Sequence, residues 1–122
     1  MISTIVTGIR DALKSAGLKA FAEWEVSGTL VYPAAVVYFE SATTLPELSD
    51  VAGSVVGMSV RVGVALTRRS VDPQLYDDIE TVISAGSAYI NGSGYRATFE
   101  SAIERSEGSD KLATVFFTIS AI

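Results

Sequence analysis

The sequence predicts an α+β fold in which two helices pack on one face of a mostly antiparallel sheet, within a single domain over residues 1–122. Apolar residues recur at helical spacing near the start and in the middle of the chain, and they alternate every two residues elsewhere. The predicted order is helix, strand, strand, strand, helix, strand, strand. No internal repeat, low-complexity segment or linker divides the 122 residues, which favours one domain.

The first predicted element is an amphipathic helix in residues 1–17. Ser3 or Thr4 can cap its start, and Gly17 followed by Leu18 is typical of a left-handed helix end with a hydrophobic contact behind it. The segment lacks the pattern of a secretory signal, so we expect synthesis in the cytoplasm. The apolar stripe of this helix consists of Ile2, Ile5, Val6, Ile9, Leu13 and Ala16.

Two strands and a long loop are predicted next. Residues 20–26 alternate, with Trp24 on the same face as the alanines, and residues 34–40 form a nearly continuous apolar run that is typical of a covered strand. Residues 41–54 are predicted to form a loop of unusual length. Its apolar residues either pack onto the core or form an exposed contact for a partner; they are Leu45, Leu48 and Val51.

Residues 55–66 are the clearest predicted strand. One face carries a row of large apolar residues that includes Val60 and Leu66, and the other carries small residues and Arg61. A face of this kind allows another backbone to approach closely. At about 3.3 Å per residue, the strand is about twice the usual length.

A second helix is predicted over residues 72–84. Asp72 is a good N-cap, and Pro73 suits the first helical position because its missing N–H has no helical partner there. Gly86 is predicted to end the helix, before a turn at residues 91–94. Three acidic residues are expected on its exposed side, namely Asp77, Asp78 and Glu80.

The chain is predicted to close with a long hairpin. Residues 95–106 and 111–121 alternate as its two arms, and residues 107–110 make the reversal. Because each arm exceeds the usual strand length, we expect the tip to project from a domain of this size.

The composition excludes many kinds of chemistry. The chain has no histidine and no cysteine, so a histidine base, a thiolate nucleophile and a disulfide are ruled out. The net charge of −5 argues against general attraction to nucleic acid, including the double-stranded-RNA-binding domain that shares part of this element order. Asp77 and Asp78 diverge by about 100° around a helix, which disfavours a shared metal. We therefore expect no enzyme activity, no cofactor and no metal site.

The whole order of elements resembles the tail terminator and neck proteins of long-tailed bacteriophages, which join head and tail. The resemblance is one of pattern over nearly the full length. It is carried by the opening helix at residues 5–13, the strand at 56–66, the exit Thr67-Arg68-Arg69, the helix at 72–84 and the hairpin at 95–121.

This resemblance implies a structural virion protein that forms a homo-oligomeric ring, usually a hexamer, at the end of the tail tube. It implies tail tube and neck proteins as partners, assembly in the host cytoplasm, and DNA that passes through the lumen without specific binding. No membrane association is expected. An alternative function is a small-ligand- or peptide-binding domain with a pocket between sheet and helices. The candidate interface residues are Leu45, Leu48, Val51, Arg61, Arg68, Arg69, Glu107, Asp110 and Lys111.

Overall fold

A five-stranded mixed sheet with two helices on one face forms the framework of the protein, as the computed structural model shows. The structure describes residues 2–26, 34–44, 58–68, 73–104 and 111–120. The α+β class and the predicted order of helices and strands are confirmed. The elements are α1 (Ile2–Ser15), β1 (Ala20–Ala22), a 3-10 helix (Glu23–Glu25), β2 (Ala34–Thr44), β3 (Met58–Arg68), α2 (Pro73–Gly92), β4 (Arg96–Glu104) and β5 (Lys111–Ser120).

The strands lie in the spatial order β1-β2-β3-β5-β4. β1 pairs with β2 in parallel, and the pairs β2–β3, β3–β5 and β5–β4 are antiparallel. The sheet is therefore mostly antiparallel, as predicted. β2 and β4 run in opposite directions, because three antiparallel steps separate them.

One face of the sheet and the facing stripes of both helices make the core. Alternate residues of β3, from Val60 to Leu66, are at most 3% exposed. They lie opposite alternate residues of β5, from Ala113 to Ile119, which are equally buried. Four residues of the predicted stripe of α1 are buried, namely Ile5, Val6, Ile9 and Leu13. Ile2 is partly buried, and the prediction for Ala16 is wrong, because Ala16 lies beyond the helix and is exposed.

Both helices end in the same backbone motif, with a glycine in the left-handed region. After α1, Gly17 has φ +96°, and the N–H of Leu18 donates to the carbonyl of Leu13 at 3.1 Å. After α2, Gly94 has φ +84°, and the N–H of Tyr95 donates to the carbonyl of Ile90 at 3.2 Å. These are Schellman ends, which satisfy carbonyls that the helix itself cannot pair. The stop predicted at Gly17 is confirmed.

The stop predicted at Gly86 is wrong, because α2 continues to Gly92. Gly86 lies inside the helix and is buried where α2 meets β5. A Cβ atom at this position would lie 2.6 Å from Cζ of Phe117. The glycine thus allows close packing of helix on sheet and does not terminate the helix. Pro73 is the first residue of α2, as predicted, and Asp72 lies outside the described residues.

The first strand is shorter than predicted, since the 3-10 helix replaces its second half. Trp24 is exposed and does not share the buried face of Ala20 and Ala22. The side chain of Glu25 accepts a hydrogen bond from the N–H of Ala22 at 2.8 Å. This local bond competes with strand pairing and favours a turn over continued extension.

The second strand is longer than predicted and includes residues 41–44, which the sequence assigned to a loop. The register with β3 shifts between Phe39 and Ser41, so Glu40 is an extra residue in β2. This β-bulge interrupts the alternation on which the sequence prediction depended. The two hairpin arms are confirmed as β4 and β5, and the reversal at 107–110 lies outside the described residues.

Val60→Asp is expected to destabilise the protein by more than about 3 kcal/mol, because it buries an unpaired charge. Val60 is 0% exposed at the centre of the core face. Urea denaturation, monitored by circular dichroism, measures the change in the free energy of unfolding. A loss below about 1 kcal/mol would contradict this position for β3.

Gly86→Ala and Gly92→Ala form a matched pair in one helix. We expect Gly86→Ala to cost about 1–3 kcal/mol, because the added methyl group overlaps the ring of Phe117. Gly92 has no atom within 4 Å of an added Cβ, so Gly92→Ala should leave stability unchanged or raise it by up to about 1 kcal/mol. If urea denaturation gives equal changes in the free energy of unfolding for the two variants, this would argue against the close contact between Gly86 and Phe117.

Candidate interaction surface

The face of the sheet opposite the helices, called the open face below, carries a half-buried cluster of aromatic and charged side chains. In β3, Arg61, Gly63 and Ala65 belong to this face, since they alternate with the buried valines. Cross-strand partners share a face. The register therefore places Tyr38 of β2 and Phe116 of β5 on either side of Gly63.

Gly63 makes room for these aromatic rings. A Cβ atom here would lie 2.4 Å from Cζ of Tyr38. The rings of Tyr38 and Phe116 pack edge to face, with centroids 6.5 Å apart. The small face of β3 therefore accommodates rings from its two neighbouring strands, whereas the sequence prediction assigned it to another backbone. Burial raises the pKa of Tyr38, and the nearby carboxylate of Glu40 raises it further.

Arg61 links three strands across this face. Its Nε donates to Oε2 of Glu40 in β2 at 2.7 Å, and Nη2 lies 3.8 Å from Oε2 of Glu100 in β4. Its guanidinium carbon also lies 4.2 Å from the ring centroid of Phe116, a cation–π distance. Alternation from Tyr38 places Glu40 on the face of Arg61, and the bulge places Ser41, the register partner of Arg61, on that face as well.

The sheet has two edges with strand backbone that no described strand pairs. One is β4, the last strand in the sheet order. The other is residues 38–44 of β2, because β1 covers β2 only opposite residues 35–37. Unpaired edges of this length are places where another chain can add a strand.

Each of these edges carries an exposed phenylalanine. Phe39 of β2 is 42% exposed, and Phe99 of β4 is 54% exposed. Phe39 lies opposite Val62, and Phe99 lies opposite Phe117, both of which are fully buried on the helix side. The two rings therefore lie on the same side of the sheet, at its two opposite edges.

An ion pair holds the exposed Trp24 beside the β2 edge. Glu25, its neighbour in the 3-10 helix, accepts a hydrogen bond from Nη1 of Arg10 in α1 at 2.7 Å, besides the one from the N–H of Ala22. These two bonds lower the pKa of Glu25, the backbone bond being the larger cause. The structure thus fixes the 3-10 helix to α1, with Trp24 61% exposed.

Three of the predicted interface residues lie in described strands. Arg61 lies on the open face, and Arg68 and Lys111 are register partners at the end of β3 and the start of β5. The remaining predicted residues lie outside the described residues; they are Leu45, Leu48, Val51, Arg69, Glu107 and Asp110. Phe39 and Phe99 are not among the predicted interface residues. The sequence signal that identifies them is an aromatic residue followed by a glutamate within each strand.

The acidic residues of α2 differ from the prediction at one position. Asp78 is buried at 7% exposure, although the sequence placed it on the exposed side, and its Oδ1 accepts a hydrogen bond from Nε2 of Gln74 at 2.9 Å. Asp77 and Glu80 are exposed, as predicted. Within the described part of the chain, no three acidic side chains form a group that could hold a metal ion.

Open depressions lie at the surface of the described residues. One of about 370 Å³ lies at the end of the sheet between β4, β5 and the last turn of α2, where Asn91, Arg96 and Thr118 line it. Another of about 460 Å³ lies along α2, beside Asp77 and Glu80. The space between sheet and helices is filled by core side chains, with Phe117 the largest of those fully buried.

No protein-family model matches the chain, and no curated protein sequence matches it. A crystal structure of a protein from Akkermansia muciniphila is similar over 92% of this chain, with 14% sequence identity and a TM-score of 0.41. This chain spans 46% of the length of that one. In the described residues, neither helix combines the length and apolar character needed to cross a membrane.

The contribution of Glu25 to stability should depend on pH. Because its pKa is lowered in the folded protein, its contribution is present above its unfolded pKa of about 4.3 and is lost as the pH falls through the folded value. Wild type should therefore exceed Glu25→Gln in stability at about pH 6, and the two should converge by about pH 3. Thermal unfolding of both proteins across this range measures the difference, and parallel curves would contradict it.

Proposed function

We propose that the protein is a structural subunit that assembles into a homo-oligomeric ring, as in the tail terminator and neck proteins of long-tailed bacteriophages that its element order resembles. In this role the ring, a hexamer, ends polymerisation of the tail tube and joins the tail to the head in the virion. The neighbours of the ring are the tail tube protein and neck proteins, and the protein performs no catalysis.

The observation that carries the proposal is that helices cover one face of the sheet and leave the other open, and that both edges have strand backbone without a described partner. Both helices cover one face, while the other face carries the half-buried Tyr38, Arg61 and Phe116. Long stretches of β2 and β4 lack a described partner at the two edges. Such surfaces favour association, and a closed ring of head-to-tail contacts covers them in every copy.

The charge of the chain also supports a conduit for DNA. Each copy carries a net charge of −5, and Arg61 on the open face is accompanied by the carboxylates of Glu40 and Glu100. A ring built from such copies has no excess of positive charge with which to retain a passing duplex. DNA is therefore a cargo that moves through the lumen and is not bound specifically.

The alternative function is binding of a small ligand or peptide. The depression of about 370 Å³ beside Asn91 and Arg96 is the observation that favours it, because it combines polar groups with a concave surface. This function requires a monomer whose thermal unfolding midpoint rises with ligand. The ring is the better supported proposal, since the alternative leaves the exposed aromatic residues at the sheet edges without a role.

Light scattering coupled to size-exclusion chromatography tests the ring. The chain has a mass of 12.9 kDa, and we expect a species of several times that mass at high protein concentration, with annular particles in negative-stain electron microscopy. A mass of one chain at every concentration, with or without purified tail tubes, would refute the proposal. A monomer stabilised by a small molecule would support the alternative.

A further inference from the structure

We propose that the two sheet edges that no described strand pairs bind each other between copies, so that β4 of one chain adds to residues 38–44 of β2 in the next, with Phe99 against Phe39. This interface rests on the proposed function, since it specifies how the copies of a ring meet. The bound partner is a second copy of this chain, and the contact is head to tail.

Strand direction is the first argument. β2 and β4 are antiparallel to each other within one chain. When a second copy is placed beside the first without inverting it, its β2 edge therefore meets β4 in antiparallel orientation. The sheet then continues from copy to copy with standard antiparallel pairing. A small rotation of each copy about an axis near the strand direction, as in the closure of a barrel, can close such a row into a ring.

The position of the exposed rings is the second argument. Phe39 and Phe99 lie on the helix side of the sheet, each at the edge that the other copy would meet. Pairing these two residues directly across the new strand pair brings the rings together and removes both from water. Aromatic cross-strand pairs are among the more stabilising contacts in sheets.

Polar residues are matched in this register. Past the bulge at Glu40, Ser41 of one copy lies opposite Thr98 of the next, and both side chains are exposed on the open face. Arg96 lies two positions beyond Thr98 on that same face. Arg96 therefore lies opposite Thr43 of the other copy, and both residues are exposed. Polar side chains thus face polar side chains across this part of the interface.

Substitution of the two exposed phenylalanines tests the apolar part of the interface. Phe39→Ser and Phe99→Ser should each weaken self-association about 30-fold or more, measured by sedimentation velocity across a concentration series. Tyr76→Ser is the matched control, because Tyr76 is 50% exposed on α2 and belongs to neither edge strand, and its loss should leave the sedimentation profile unchanged. Urea denaturation of each variant verifies that folding is preserved.

Engineered cysteines test the direction of the contact. The chain has no native cysteine, so Ser41→Cys and Thr98→Cys introduce the only thiols. On mild oxidation, the doubly substituted protein should form a ladder of dimers, trimers and larger species on a non-reducing gel, while each single variant should stay a monomer. Dimers from a single variant would instead show a two-fold edge contact and overturn the proposal.

The outcomes separate this interface from the ring itself. If the protein forms large assemblies but the doubly substituted protein gives no ladder and the phenylalanine variants assemble normally, the edge interface is wrong and the ring proposal stands. If wild type remains a single chain under all conditions, both proposals fail.

Discussion

The fold depends on one constraint, which is that the central antiparallel pair of β3 and β5 must be buried on one face. Four consecutive alternate residues of each strand are buried there, from Val60 to Leu66 and from Ala113 to Ile119. Each strand pairs with a further strand on its outer side, and both helices cover the shared apolar face. Because this apolar face must be shielded from water, both helices pack on it. The opposite face carries the cluster around Arg61.

Three glycines make room for aromatic rings, and two of them do so where the helices pack on the helix side of the sheet. Gly86 receives the ring of Phe117 between α2 and the sheet, and Gly8 receives the ring of Tyr89 between the two helices. The hydroxyl of Tyr89 also donates to the carbonyl of Thr4 at 3.2 Å. On the open face, Gly63 likewise makes room for the ring of Tyr38. In each case an aromatic ring occupies the space that a side chain would fill, so ring and glycine act as a pair.

Alternation and helical spacing were sufficient to predict the class, the order of elements and the core face of β3, because these patterns depend on burial of a whole face. They failed where one local interaction outweighs the pattern. Glu25 bonds back to Ala22 and turns the chain at Trp24, and Gly86 remains helical because Phe117 needs its space. The pairing of Arg61 with Glu40 and Glu100 joins three strands, and its geometry depends on a register that no single stretch of sequence specifies.

The extra residue at Glu40 has a consequence for how related sequences are compared. Residues 34–39 and 41–44 of β2 follow two different phases of alternation, although they form one strand. A homologue that lacks one residue here would form a regular strand with the same register on β3, and Ser41 and Thr43 would stay on the open face. An alignment that closes such a gap silently would equate residues on opposite faces. Length at this position therefore carries as much structural information as residue identity.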